Sequence, residues 1–423
     1  MSAPQTLAEA IGCLSDCDPQ ALPVARVREV IERVVVPVEA VERLAIRSAL
    51  GRVLAEDLVS PIDVPAHDNA AMDGYAVRAA DLAAGAPTVL AIAGTALAGQ
   101  PYTGSAGPGE AVRVTTGALM PAGFDTVVIQ EHVSIEGRRI VVPAGQQPGQ
   151  NRRRCGEDLA RGRPALRAGK RLIPADLGLL ASLGFAEVPV RRRLRVAFFS
   201  TGDELRTVGE PLAPGEVYDS NRYTIFGMLT RLGVDVIDMG VVRDDPASLE
   251  RAVRIAAESA DAIVSSGGVS VGEADFTRPV MSKLGDIVFW TIAMRPGRPM
   301  AFGRIGRASY FGLPGNPVAV MIAFYFFARE ALLRQMGARA EPLPYVRARA
   351  LTAFAKRPGR TEYQRAQLAR EADGTMTVRA LGSQGSGVLR SMSEANCIVV
   401  LHHERGPVAA GDEVDCVAFE GLI

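Results

Sequence analysis

Two hydrophobic rhythms alternate along this chain, and the points where one gives way to the other mark out its parts. Between residues 195 and 334, short apolar or β-branched runs at 196–199, 234–239 and 262–264 take turns with helical patterns at 223–232 and 248–258. A last helical pattern starts at Val318, just after Pro317. Strand and helix in alternation predict an α/β sandwich around a mostly parallel sheet. Residues 62–162 read differently. Glycine, proline and short β-like runs at 111–114, 126–133 and 139–142, with little helical periodicity, predict a separate β-rich module. A flanking piece, 39–58 with 162–190, carries helical patterns such as 175–182 and is expected to form a small linking α+β domain. From Pro344 onward short strands and turns return, including the glycine-and-serine run 382–387, and a C-terminal β-barrel is expected there.

Length agrees with this division, since 423 residues exceed one ordinary domain and predict three or four. The chain carries 47 basic and 47 acidic residues, a balance that exerts no long-range pull on nucleic acid or an acidic membrane. Neither is expected as a partner, and any anion site must be a local cluster. The most apolar stretch, 318–328, is eleven residues, about half of what a membrane-spanning helix requires. Five scattered cysteines (Cys13, Cys17, Cys155, Cys397, Cys416) predict reduced thiols in a cytoplasm rather than a disulfide framework. The first twenty-two residues show neither a basic start nor a long apolar core, so no export signal is expected and 1–21 reads as a flexible tail.

Candidate chemistry concentrates where two of the strand-like runs end. Ser200-Thr201-Gly202-Asp203-Glu204 and the run Ser265-Ser266-Gly267-Gly268-Val269-Ser270-Val271-Gly272-Glu273-Ala274-Asp275 both place glycines directly after a buried strand. Backbone N–H groups there can turn toward an anion, and ligands of such sheets sit at the carboxyl ends of the strands. Carboxylates in the same loops would repel a bare phosphate, so a divalent cation between acid and phosphate is expected, most simply Mg²⁺. Asp244 ends a third strand in the same fashion, while Asp245 before Pro246 reads as a helix cap. Neither familiar nucleotide fingerprint is present. No G-x-G-x-x-G opens a helix, and six residues separate Gly162 from Gly169, with Arg171 where a P-loop needs Ser or Thr.

The phrase Asp68-Asn69-Ala70-Ala71-Met72-Asp73-Gly74-Tyr75-Ala76, the second glycine loop, Pro296-Gly297-Arg298-Pro299 and Gly312-Leu313-Pro314-Gly315-Asn316-Pro317 follow one another in an order and spacing that resembles the molybdopterin molybdenumtransferase family, which includes the gephyrin E domain. The resemblance runs from about Val24 to the C-terminus. It implies a cytoplasmic, Mg²⁺-dependent enzyme that inserts molybdenum from molybdate into adenylylated molybdopterin and releases AMP. It also implies a molybdopterin-binding α/β domain made of 22–42 and 194–343, a linking domain of 43–61 and 163–193, a β-rich module of 62–162 and a barrel of 344–423. Two such chains would form an elongated homodimer, with each cleft shared between the α/β domain of one subunit and the β module of the other. An upstream molybdopterin adenylyltransferase would be a partner.

Residue roles follow from the same resemblance. Glu204 and Asp275 are candidates for Mg²⁺ ligation or catalysis, with Asp203 and Asp244 close by and Asp158 as a further acid of the cleft. Asp73 and Thr116 would complete the partner's site. Ser265, Ser266, Gly267, Gly268 and Ser270 would hold phosphates or pterin, and Arg295, Arg298 and Arg360 would bind anions. Pro314 and Pro317 either contact the ligand or only shape a turn and start a helix. Three positions depart from the family pattern: Thr291 and Arg295 stand where lysines are usual, and Cys155 interrupts what is often a third arginine. They leave molybdate or tungstate preference open. Two rival readings stand beside this one, an interaction scaffold of the gephyrin E-domain type and a pterin-nucleotide hydrolase without metal insertion.

Overall fold

The protein is described by a computed structural model over residues 6–269 and 277–422. A helix, α1 (Val24–Val34), precedes the α/β part of the chain. That part then runs β1 (Arg195–Thr201), α2 (Ser220–Leu232), β2 (Asp235–Val242), α3 (Pro246–Ser259), β3 (Ala262–Ser266), α4 (Thr277–Leu284), β4 (Asp286–Thr291), β5 (Pro299–Ile305), β6 (Ala308–Leu313) and α5 (Pro317–Ala323). The last helix continues through a π-helical turn, Phe324–Ala328, into α6 (Arg329–Gln335). The sheet order is β2-β1-β3-β6-β5-β4. Its first four strands are parallel, while β5 and β4 close one edge antiparallel.

Strand β1 is buried at every position after Arg195, as a strand covered on both faces must be. Its alternate residues feed two different cores. Phe198, with Val264 and Phe311, joins the cluster built by α1, α2 and α5. Ala197 and Phe199, with Ile263 and Tyr310, join the one built by α3 and α4. Asp245 caps α3 by accepting from the Ser248 N–H at 2.9 Å, as its position before Pro246 predicts.

The β-rich stretch forms a six-stranded sheet whose central strands are Gly74–Val77, Glu110–Val114 and Thr88–Ala96. Between it and the α/β part, Val41–Ala45 pairs antiparallel with Glu187–Arg191 beside the helix Pro174–Ser182. The C-terminal strands close on themselves. Thr361–Arg370 pairs with both Met376–Ala380 and Cys397–Leu401, and the ring is completed through Tyr345–Ala350 and Glu413–Ala418. The fold is therefore the expected combination of α/β sandwich, β-rich sheet, linking piece and closed barrel.

One expectation fails. The segment read as a flexible tail folds where it is described: Thr6 caps a short helix, Leu7–Ile11, in a capping box with Glu9, and Leu7 and Ala10 are buried in the α1 core. Farther on, the Leu22 N–H donates to Thr291 O at 3.0 Å and the Ala293 N–H to Leu22 O at 2.8 Å, which ties the segment to the end of β4. Polar residues between these few apolar contacts hide the pattern in the sequence.

A charge joins the linking piece to the sheet. Asp261, just before β3, accepts from both terminal guanidinium nitrogens of Arg192 at 2.7 and 2.6 Å and from the Arg195 N–H at 2.8 Å. Burial works against its charged form, but the Arg192 and Arg195 bonds prevail and hold the carboxyl below its ordinary value. A group whose folded pKa is depressed contributes stability above its unfolded pKa and loses it as pH falls through the folded one. Asp261→Asn should therefore destabilise the protein by about 1.5–3 kcal/mol near neutrality. In urea titrations the gap to the wild type should narrow below about pH 3.9, the ordinary aspartate value.

Candidate active site

The carboxyl ends of β1 and β3 open into a cavity of about 1060 Å³. Gly267 and Gly268 form its floor with φ of +94° and +64°, a conformation other residues rarely adopt. Space is equally restrictive. A Cβ on Gly267 would stand 2.4 Å from Thr201 O, and one on Gly268 would stand 2.1 Å from Thr277 Oγ1. The Gly267 N–H is taken by Leu313 O at 3.1 Å, so the turn meets the cavity at Gly268 and beyond through backbone that can hold no side chain.

Acids occupy one side. Glu204 and Asp244 both line the cavity. Asp244 lies 3.4 Å from Thr201 Oγ1, and its N–H donates to Asp203 Oδ1 at 3.4 Å, so Asp203 stands just behind the wall. Oxygen donors in this number suit Mg²⁺, which takes one or two carboxylates and fills its remaining positions with water and substrate phosphate. Among the described residues no cage of three or more acidic, histidine or cysteine ligands exists. Asp275 and Ser270 lie outside the described residues.

Cations occupy the opposite side. Arg295 and Arg298 come from the turn before β5, and Arg360 comes from the C-terminal barrel. The barrel reaches the cavity because Met294–Arg295 pairs with Thr361–Glu362 as an added parallel strand. Arg360 is oriented by the buried Glu362, with its Nε 2.9 Å from Oε1. Arg298 donates to Gln20 O at 2.9 Å, so the N-terminal segment helps to set this wall. Pro314 and Pro317 also line the cavity, and Pro317 opens α5 at its first turn.

Several lining residues were not singled out from sequence. The loop Gln384, Gly385, Ser386 was read only as barrel turns, yet it faces the cavity. Buried Arg365 fixes it by donating to Ser383 O, Gly385 O and Ser391 Oγ at 3.2, 2.8 and 3.0 Å. Burial, and then the charge of Arg295, push the Arg365 pKa down to about 10, so it remains charged at neutral pH. Asp219 and Asn221 are also in the lining. Asp219 caps α2 through Oδ1, while its Oδ2 and the Oδ1 of Asn221 are buried without a hydrogen-bond partner. The signal was present in Asp219-Ser220-Asn221, but a polar run before a helix reads first as a cap.

Other expected residues stand elsewhere. Ser265 does not line the cavity, because its hydroxyl is buried against Tyr310 OH at 2.7 Å on the other face of β3. Ser266, one residue on, does line it and accepts from Asn221 Nδ2 at 2.8 Å. Thr291 and Cys155 are not in the lining either, so of the three departures only Arg295 touches this wall. Asp73, Thr116 and Asp158, all in the β-rich part, do not line this chain's own cavity. Asp73 is nevertheless prepared: its Oδ1 accepts from the Thr116 N–H at 2.7 Å and hydroxyl at 2.8 Å, and these bonds hold its carboxyl below the usual range.

The fold and the cavity define a class of protein: a multidomain one whose α/β domain opens a polar cavity at its strand ends under a C-terminal barrel. Three family descriptions match the chain in order: "MoeA N-terminal region (domain I and II)" at residues 22–184, "Probable molybdopterin binding domain" at 197–334 and "MoeA C-terminal region (domain IV)" at 347–419. A molybdopterin molybdenumtransferase of Haemophilus influenzae is 42% identical over 384 residues, spanning 90% of this chain and 95% of the relative. One from a Nostoc species is 36% identical over 87% of this chain and 86% of its own length. The crystal structure of the molybdopterin biosynthesis moeA protein from Pyrococcus horikoshii OT3 superposes with a TM-score of 0.82 at 28% identity, covering 94% of this chain and all of that one. The chain belongs to the molybdopterin molybdenumtransferase family, and its role lies in molybdenum cofactor biosynthesis.

Two substitutions probe this geometry. Gly267→Ala should lower stability and weaken binding of phosphate-bearing ligands, the first read by thermal unfolding and the second by calorimetry. Thr116→Val removes one of the two bonds that hold Asp73, so the Asp73 pKa should rise part of the way to its ordinary value in a carbon-detected NMR titration.

Proposed function

We propose that this chain transfers molybdenum from molybdate to adenylylated molybdopterin and releases AMP, in the cytoplasm and as a homodimer with shared clefts. The observation that carries the reading is the opposition of acids and arginines across one cavity floored by Gly267 and Gly268. Molybdate is an anion approaching a phosphoanhydride and a dithiolene, so like charges must be brought together and a leaving AMP stabilised. Past Gly267, whose N–H is taken by Leu313 O, the glycine turn would receive the phosphates by backbone N–H groups from Gly268 onward. Arg295, Arg298 and Arg360 would receive the oxyanion, and Glu204 with Asp244, joined by Asp203 and Asp275, would hold Mg²⁺. Bound there, the ion would supply screening between acid and phosphate.

Asp73 and Thr116 act in this reading on the partner subunit's cleft, with Asp158 beside them. The exposed, hydrogen-bonded Asp73 carboxylate supports this, because it stays ionised and stands outside the cavity of its own chain. The division into 22–42 with 194–343, 43–61 with 163–193, 62–162 and 344–423 belongs to the same proposal, as does supply of the pterin by an adenylyltransferase.

Incubation with adenylylated molybdopterin, Mg²⁺ and molybdate tests the reading. AMP release should depend on molybdate and accompany metal capture; intact nucleotide would mark a scaffold, and release regardless of molybdate a hydrolase. Glu204→Gln should slow AMP release by roughly 10²-fold or more while leaving the protein folded. Heterodimers that pair an Asp73→Ala subunit with a Glu204→Ala subunit should regain one working cleft. No recovery is expected if each cleft is built from a single chain.

A further inference from the structure

We propose a second oxyanion site, remote from the cleft, in a hollow between α1, the turn at Gly169–Arg171 and α6. The hollow has a volume of about 460 Å³ and shares no lining residue with the cleft. Five arginines face it against three glutamates, so it carries positive charge in a chain that has none overall. Among the described residues, one of the five arginines is paired with a carboxylate. Arg28 makes a two-pronged ion pair with Glu330, its Nε 2.8 Å from Oε2.

The other four have no such partner among the described residues. Arg171 donates only to the carbonyls of Gly51, Arg231 and Leu232 at 3.3–3.5 Å, and Arg339 donates to Ala168 O at 2.8 Å. Arg329 and Arg334 make no ion pair, and the Nε of each is buried without an acceptor. A buried charged donor with nothing to donate to is costly, and an anion in the hollow offsets that cost by pairing with the charge of both side chains. Arg171 and Arg329 lie close enough to repel one another; burial pushes the Arg329 pKa down, and Arg171 adds to it against the opposing charges of Glu330 and Glu341. A dianion between them turns that repulsion into attraction.

The lining also narrows the ligand. It contains no aromatic side chain, so a nucleobase would find no aromatic platform there. Planar guanidinium forks match two oxygens of a tetrahedral anion. The guest is therefore a simple tetrahedral dianion, either phosphate or the molybdate that the cleft consumes. The site spans three parts of the chain. Gly169 belongs to the linking piece, and its φ of +80° and bare Cα let Arg339 pass where a Cβ would stand 2.9 Å from Arg339 Cγ. Pro342 and Pro344 lead directly into the first barrel strand at Tyr345. A bound dianion ties these parts to α6 and stabilises the whole chain.

Thermal unfolding and calorimetry of the full chain carrying Arg295→Ala and Arg298→Ala, which weakens the cleft's own anion wall, test the proposal with phosphate, molybdate and chloride at equal ionic strength. Either dianion should raise the unfolding temperature beyond chloride, and the one with the larger shift is the physiological guest. Adding Arg329→Met and Arg334→Met should weaken that binding by about tenfold or more. Should the quadruple variant not fold, the wild type answers alone: the binding dianion should shield Arg329 and Arg334 from phenylglyoxal, read by peptide mass mapping. No shift beyond chloride, binding that survives the added pair, or labelling of both arginines undiminished by either anion overturns the proposal.

Discussion

The cleft depends on one close approach, that of the Gly267-Gly268 backbone to the ends of its neighbours. With a Cβ at Gly267 only 2.4 Å from Thr201 O, the turn must be glycine for β1 and β3 to lie side by side through Ser200 and Ser266. A larger residue would separate the strand ends, and with them the acid side from the floor. Local conformation, sheet pairing and ligand geometry thus rest on the same two residues.

A second constraint sets the roof. The barrel does not simply rest on the α/β domain; it extends its own sheet through Met294–Arg295, which leaves Arg295 at the seam. The barrel loop over the cleft is then held by Arg365, a cation buried to 1% exposure that satisfies backbone carbonyls instead of a carboxylate. Removing its partners would leave an uncompensated charge in the interior, so the loop and the arginine hold each other in place. The Val318 N–H donates to Ser386 O at 3.0 Å, and this locks the same loop to the first turn of α5.

Much of this was legible in the sequence, for physical reasons that differ by element. Strand β1 was plain because it is buried on both faces, and α3 because Asp245 and Pro246 announce its start. The glycine loops were plain because positive φ leaves little choice of residue. Ser265 was misjudged because adjacent strand positions point to opposite faces, and sequence alone does not say which of Ser265 and Ser266 faces the ligand. Asp219 and Asn221 were passed over because a capping role explains them locally. The Gln384 loop was passed over because its part in the cleft depends on the seam at Arg295, a contact between positions far apart in the chain. The Leu7–Ile11 helix was missed because it is too short to show a period.

The N-terminal segment matters more than its length suggests, because it reaches the anion wall. Arg298 is anchored to Gln20 O, and Leu22 is bonded on both sides to the backbone around Ile292, just before Arg295. A lysine at 298 would be a point charge free to swing toward the ligand, whereas the arginine fork can bond Gln20 with one nitrogen and keep the others for an oxyanion. Arginine there is thus coupled to a folded segment in a way that lysine would not be. The arginine at 298 and the unexpected order of residues 7–22 become one feature: the wall gives up mobility of its cation and gains fixed geometry.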